Sequence, residues 1–304
     1  MASLNRRECL ALIGAALLDA ADDNRLQRQW ESIAAGMDGT IGAAALHLST
    51  GMLASLHGDE RFPLASVCKW PLAMHWLEMV DEGRYRLDSP IEVAQQDVTI
   101  SVSPIGEQWP RRKSYPLEEM LTLMIAQSDN TAVETLYRLG GGSLALAVRF
   151  QNWKAAGMRI DRSERQCGRD AHASMEQFLA DPRDTATPNA TVGLLKRAFS
   201  GDVLAPATTA SLLHMMQATA TGPGRIKGQL PPGTVVAHKT GTTSTVNGLN
   251  GSTNDVGVIE LPGGGRLAVA VYVKGSRRDE NARDLAIARL ARAAYDAALA
   301  PAAR

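Results

Sequence analysis

The sequence predicts a mixed α/β (α+β) fold: a sheet flanked by an N-terminal and a C-terminal helix, with an all-helical segment inserted between its strands. Two observations carry this. Runs of alternating or continuous apolar residues, read as strands, occur near both ends of the chain, and the stretch from residue 66 to about 218 carries apolar residues at the three- and four-residue spacing of helices. Early strands can complete a sheet with late ones only if the helical stretch is an insertion, which predicts two lobes with a cleft between them. The expected division is an α/β lobe over 24–64 and 221–300 and a helical lobe over 65–220.

Residues 24–36 read as an amphipathic helix. "TIGAAALHLSTGMLASLHGDERF" (40–62) reads as two hairpin strands around a Ser-Thr-Gly turn. In the central stretch, "PLEEMLTLMIAQSDNTAVETLYRL" and "TPNATVGLLKRAF" place Pro116 and Pro188 at helix starts. After Gly228 the strand pattern returns: "TVVAHKTGTT" (234–243), "DVGVIEL" (255–261) and "RLAVAVYVKGS" (266–276), the last two joined by a "PGGG" turn. An Ala-rich helix from Asn281 to about Leu299 closes the chain.

The 304 residues are 45% hydrophobic, and 32 Lys and Arg balance 32 Asp and Glu, so there is no electrostatic footprint for nucleic acid. No stretch reaches eighteen consecutive apolar residues, which argues against a membrane-spanning helix. The start, "MASLNRRECLALIGAALLDAADD", joins Arg6 and Arg7 to an apolar run and an acidic switch, and resembles a secretory signal of the twin-arginine kind ending near Ala20. It implies a periplasmic or secreted protein with no membrane association after processing, the alternative being an amphipathic first helix; a monomer is expected. Of three cysteines, Cys9 leaves with the signal, and Cys68 and Cys167 are either two buried thiols or one pair.

Chemistry enters with "LASVCKWPLA" (64–73), which sets Ser66 and Lys69 three apart among apolar neighbours. At that spacing on a helix a hydroxyl and an amine share one face, the arrangement of a base-activated nucleophile; a lone pair of this kind also arises as a helix-start serine beside a snorkelling lysine. Two further motifs decide the matter. Ser128-Asp129-Asn130 follows a predicted helix, and Lys239-Thr240-Gly241 lies on the first late strand, facing the helical lobe. In this order the three motifs resemble those of the class A serine β-lactamases, and more broadly of the penicillin-recognising acyl-serine transferases. The resemblance covers roughly residues 24–300.

The resemblance implies an antiparallel sheet and a small-molecule β-lactam substrate, with no cofactor and no metal; six scattered histidines offer no zinc cluster. Ser66 would be the nucleophile and Lys69 its activating amine. The N–H groups of Ser66 and Thr242 would form the oxyanion hole, the first at a helix start suited to negative charge. Ser128 would relay a proton to the departing lactam nitrogen and Asn130 would bind the substrate's side-chain amide, with Asp129 structural. Lys239, Thr240, Gly241 and Thr242 would form an anion-binding wall. Arg225 would complete that wall, its alternative being a solvated surface arginine. His238, next to Lys239, should point away from the lysine's face by strand alternation.

Hydrolysis needs a residue that activates water. "RIDRSERQC" supplies Arg162-Ser163-Glu164 between the Ser-Asp-Asn motif and "PRDTATP", and Glu164 is the implied base on a loop of about 160–185, closed by pairing of Arg162 with Asp184. Three departures from the family pattern stand out. Gly168 replaces an asparagine four residues after the glutamate, the loop is longer and offers Glu176 as a competing base, and Val102 replaces an aromatic rim residue for which Trp109 is a substitute. The stretch 242–257, with its Asn-Asp pair, reads as a lengthened strand connection similar to the extended-spectrum branch, which suits bulky oxyimino cephalosporins. The alternatives are a D-alanyl-D-alanine peptidase, which lacks the glutamate loop, or a β-lactam-binding homologue that acylates with little turnover.

Overall fold

The computed structural model describes residues 25–300; the candidate signal, with Arg6, Arg7 and Cys9, lies outside the described residues. The described residues open with helix α1 (25–35), followed by strands β1 (Thr40–His47) and β2 (Leu53–Leu56). Short β3 (Phe62–Pro63) leads through a 3-10 turn, Ala65–Cys68, into α2 (Lys69–Asp81). Then come β4 (Pro90–Glu92), α3 (Pro104–Gln108), β5 (Ser114–Pro116), α4 (Leu117–Ala126), α5 (Asn130–Leu139) and α6 (Gly142–Asn152). Helices α7 (Glu164–Ala173) and α8 (Met175–Ala180), strand β6 (Thr185–Ala186) and helices α9 (Pro188–Phe199) and α10 (Pro206–Gln217) follow. The last described elements are β7 (Val236–Thr242), β8 (Thr245–Val246), β9 (Leu249–Glu260), β10 (Arg266–Ser276) and α11 (Glu280–Leu299).

The main sheet is antiparallel in the order β2-β1-β10-β9-β7, with β8 on β9. Early β1 pairs with the last strand β10, Ile41 opposite Val273 and Ala45 opposite Val269, so the intervening helices are an insertion, as the strand pattern implies. Alternation along β10 divides its side chains between two layers. Leu267, Val269, Val271 and Val273 face α1 and α11, while Ala268, Ala270 and Tyr272 face the helices of the inserted segment, where α9 packs on β1 and β10. Both faces are covered, so β10 reads as a continuous apolar run. Trp30 on α1 donates from its indole N–H to Leu290 O of α11 at 3.0 Å.

Helix α2 is buried almost all round: Trp70, Leu72, Met74, Trp76 and Leu77 are inaccessible to solvent or nearly so, and Lys69 is buried with them. A helix in this position is a pillar of the core, and the residues at its N-terminus are held by packing on every side. It packs against α4, α5, α6 and α10.

Two segments differ from the sequence reading. The stretch 160–185 is mostly helical, not a plain loop: Ser163 and Ser174 each accept an N–H three residues on, from Gln166 and Gln177, and so cap α7 and α8. Both are S-x-x-Q capping signatures inside a polar stretch. The supposed lengthened connection 242–257 is mostly strand: β9 begins at Leu249 and meets β8 across an Asn247-Gly248 turn with both residues at positive φ (51° and 76°). Asn-Gly supplies the type of two-residue turn a hairpin requires, and the polar Thr, Ser and Asn residues after it are buried in the ladder.

Candidate active site

The cleft between the helices and β7 is a cavity of about 590 Å³, within the range of small-molecule sites. Its floor is the 3-10 turn. Ala65 takes a positive φ of 46°, a strained conformation for a non-glycine residue, and delivers Ser66 into the cleft. In a 3-10 turn residues three apart eclipse, so Ser66 and Lys69 share a face.

They do not, however, hydrogen-bond to each other. The Lys69 amine donates to Ser128 O (2.8 Å), Ser128 Oγ (3.1 Å) and Asn130 Oδ1 (2.5 Å). Three oxygens on the Ser128–Asn130 turn match the three donors of an ammonium, which one serine hydroxyl does not. The hydroxyl of Ser66 instead donates to Glu164 Oε1 at 3.4 Å, across 98 residues of sequence. The expected Ser66–Lys69 contact is thus replaced by a Ser66–Glu164 contact.

Ser128 sits at a positive φ of 58° and its Oγ accepts from both Lys69 and Lys239, each at 3.1 Å. With both lone pairs taken, its own O–H is left to donate. Asp129 is fully buried; its carboxylate accepts the N–H groups of Ala132 (2.8 Å) and Ile105 (2.8 Å), which caps α5 and fixes the turn. Asn130 donates to Ser101 O (3.1 Å).

Opposite stands β7. Lys239 is fully buried behind Ser128, also donating to Thr240 O (2.8 Å); burial first, and the neighbouring Lys69 amine second, hold its pKa down to about 7. His238 points the other way, its Nδ1 2.9 Å from both carboxylate oxygens of Asp255, as alternation predicts. A Cβ on Gly241 would lie 2.7 Å from Leu64 O, 3.0 Å from Val67 N and 3.1 Å from Ser66 N, so the strand and the turn that carries Ser66 meet backbone to backbone. Thr242 ends the strand and lines the cleft.

Arg225 is only 3% exposed, which removes the solvated-surface alternative. Its Nε donates to Asp284 Oδ1 (2.7 Å), and Nη1 to Gly241 O (3.2 Å) and Asn254 O (3.0 Å). Nη2 donates to Thr242 Oγ1 (2.8 Å), leaving the Thr242 proton free to point elsewhere. Sequence reasoning missed Asp284, and also Thr221, whose hydroxyl lies 2.5 Å from that of Thr240. Neither partner has a local signal, since each pairing joins segments far apart in the chain.

Glu164 opens α7, with Oε2 also 3.8 Å from Cys68 Sγ. Behind it Arg162, 8% exposed, binds Asp184 (2.5 Å), Asp170 (2.6 Å) and Asp181 (3.2 Å), the first being the pairing the resemblance implies. Asp184, at a φ of 53°, also accepts the N–H groups of Asp161 (2.7 Å) and Arg162 (2.9 Å). Glu176 is exposed on α8 and does not line the cleft. Cys68 and Cys167 are both free thiols that line a small cavity of about 90 Å³ with Glu164. Burial, with the Glu164 charge second, pushes the Cys68 thiol well up; burial does the same to Cys167. A Cβ on Gly168, one turn beyond Glu164, would meet nothing within 4 Å. Val102 is exposed on the cleft rim, but Trp109 is no substitute: it packs on the helical core, under Lys113, away from the cleft lining.

Comparison with known proteins bears on the family and the fold. The profile of the β-lactamase enzyme family matches residues 25–298. The extended-spectrum β-lactamase PER-1 of Pseudomonas aeruginosa is 33% identical over 278 residues, 91% of this chain and 88% of the relative. A β-lactamase structure from Chitinophaga pinensis is 34% identical with a TM-score of 0.84, covering 90% of this chain and 99% of that one. An ancestral class A β-lactamase structure is 33% identical with a TM-score of 0.80, covering 90% and 99%. Fold, motif order and full-length similarity place the chain in the β-lactamase enzyme family, among the class A serine enzymes.

Proposed function

We propose that this protein hydrolyses the amide bond of β-lactam antibiotics through an acyl-enzyme on Ser66, and so confers resistance to them. The carrying observation is the hydroxyl of Ser66 held 3.4 Å from the Glu164 carboxylate, in a cleft whose Ser128 is left to donate. Ser66 Oγ bonds to the lactam carbonyl carbon while its proton passes to the Glu164 carboxylate that it already contacts. The oxyanion rests on the N–H groups of Ser66 and Thr242, each such donor contributing about 10²–10³ in rate. As the C–N bond breaks, Ser128 Oγ gives its proton to the ring nitrogen and takes one from the Lys69 ammonium that donates to it; the proton on Glu164 replaces the one Lys69 gives, through water, which leaves Glu164 ionised for the second step. Water then attacks the ester, losing a proton to Glu164, and Ser66 leaves as the restored alcohol.

Recognition follows from the same contacts. The second N–H of the Asn130 amide faces the substrate's side-chain amide. The substrate carboxylate meets the Thr240 and Thr242 hydroxyls at Gly241, with Lys239 behind, and Arg225 acts through Thr242 by occupying that hydroxyl's lone pair. The empty space over Gly168 suits a bulky oxyimino side chain, in keeping with the extended-spectrum relative. In this reading the α/β lobe, 24–64 and 221–300, and the helical lobe, 65–220, each give one wall of the cleft. The protein acts as a periplasmic or secreted monomer; the Arg6-Arg7 segment supports export.

The test is turnover of a chromogenic cephalosporin by the purified protein beside Glu164→Ala, with intact mass spectra of both. The wild type should turn over, while the variant, acylating slowly with water as the proton acceptor and lacking the carboxylate that activates the second water, should accumulate an adduct on Ser66. A wild type that itself stays acylated would instead mark a β-lactam binder.

A further inference from the structure

The carboxylate end of the cleft carries a charge that the reaction does not use. Its lining runs through Thr221, Arg225, Thr240 and Thr242 to Glu280. Arg225, the cation of this end, is already neutralised by Asp284 at 2.7 Å. Glu280 then approaches the same guanidinium at 3.6 Å, with its side chain 67% exposed. Two carboxylates thus flank the Arg225 guanidinium, with buried Arg283 also in their field, and the second carboxylate is turned to solvent beside the Thr242 hydroxyl that Arg225 orients.

We propose that Glu280 is a specificity-determining residue that favours zwitterionic β-lactams, those carrying a fixed positive charge on the substituent next to their carboxylate. The inference rests on the function proposed above and deepens it. In a cephalosporin the carboxylate and the 3-substituent stand on adjacent ring carbons. With the carboxylate on Thr240 and Thr242, the 3-substituent extends along the rim, where Glu280 lies two contacts from Thr242 through Arg225. A quaternary nitrogen there meets an exposed carboxylate; a neutral substituent gains nothing from it and an anionic one is repelled. Glu280 also occupies the first turn of α11, where a carboxylate is favoured by the helix N-terminus whatever the substrate. That structural role acts on all substrates alike, so only the ratio between substrates reports the specificity role.

The test uses two cephalosporins with one acyl side chain, bearing a pyridiniummethyl or a neutral acetoxymethyl group at position 3. The ratio of their kcat/KM values is measured for the wild type, Glu280→Gln and Glu280→Asp. An exposed pair about 4 Å apart is worth roughly a fivefold effect, which salt screens. The cationic-to-neutral ratio should thus fall about fivefold in Glu280→Gln, stay within twofold in Glu280→Asp, and shrink in the wild type on adding salt. An unchanged ratio in Glu280→Gln, or equal losses on both substrates, would overturn the assignment. Failure of the wild type to hydrolyse either compound would sink the hydrolase reading itself, a distinguishable result.

Discussion

Replacing Gly241 by alanine tests the closest approach in the site. The added methyl would lie 2.7 Å from Leu64 O and about 3 Å from the amide nitrogens of Val67 and Ser66, well short of the 3.4 Å of ordinary contact. These neighbours are backbone atoms of the nucleophile turn, so no rotamer change relieves the clash; strand and turn must part by roughly half an ångström or more. Both proposed oxyanion donors ride on these two segments. Loss of one donor is worth about 10²–10³ in rate, and a displacement of about 1 Å from productive geometry about 10². Acylation should therefore slow about 10²-fold, with an overpacking cost of about 1–3 kcal/mol in stability. Stopped-flow acylation by a chromogenic cephalosporin, beside thermal unfolding, measures both. Acylation within threefold of wild type at an unchanged Tm would refute the claim that the backbone contact sets the site.

Three further outcomes follow from the same geometry. Lys239, held down to about 7, is cationic below that pH and neutral above it, whereas an unfolded lysine keeps its proton to about 10.4. The unfolded chain thus binds more protons between these values, so this group's contribution makes stability rise with pH through that window, its penalty being constant below about 7. For activity the sign is opposite: kcat/KM for a carboxylate-bearing substrate should decline up to tenfold per pH unit above about 7, and Lys239→Arg should abolish the decline, as pH profiles of both proteins would show. Removing Arg162 leaves Asp184, Asp170 and Asp181 facing each other behind Glu164; Arg162→Ala should cost about 3–5 kcal/mol in urea unfolding and expose residues 160–185 to proteolysis. The raised thiols of Cys68 and Cys167 should resist iodoacetamide at pH 8 in the native protein and both react in denaturant, counted by intact mass.

The capped helices of the glutamate segment were readable in retrospect, since S-x-x-Q stands at both Ser163 and Ser174. So was the Asn247-Gly248 hairpin turn. Polar residues dominate both stretches, and hydrophobic periodicity is silent where a ladder buries Thr, Ser and Asn.

Local pattern determined the rest of the framework: β-runs at both ends, helical spacing between them, and three short motifs in an order that carries the chemistry. Which of those motif residues touch is a different matter. That Lys69 turns to Ser128 and Asn130, that Ser66 faces Glu164, and that Arg225 is spent on Asp284 and Thr242 rather than on solvent depend on contacts between segments 17 to 98 residues apart. Side-chain donors go to whichever acceptors the packed core brings within hydrogen-bonding distance, and no sequence window spans those partners; only the tertiary structure decides between them.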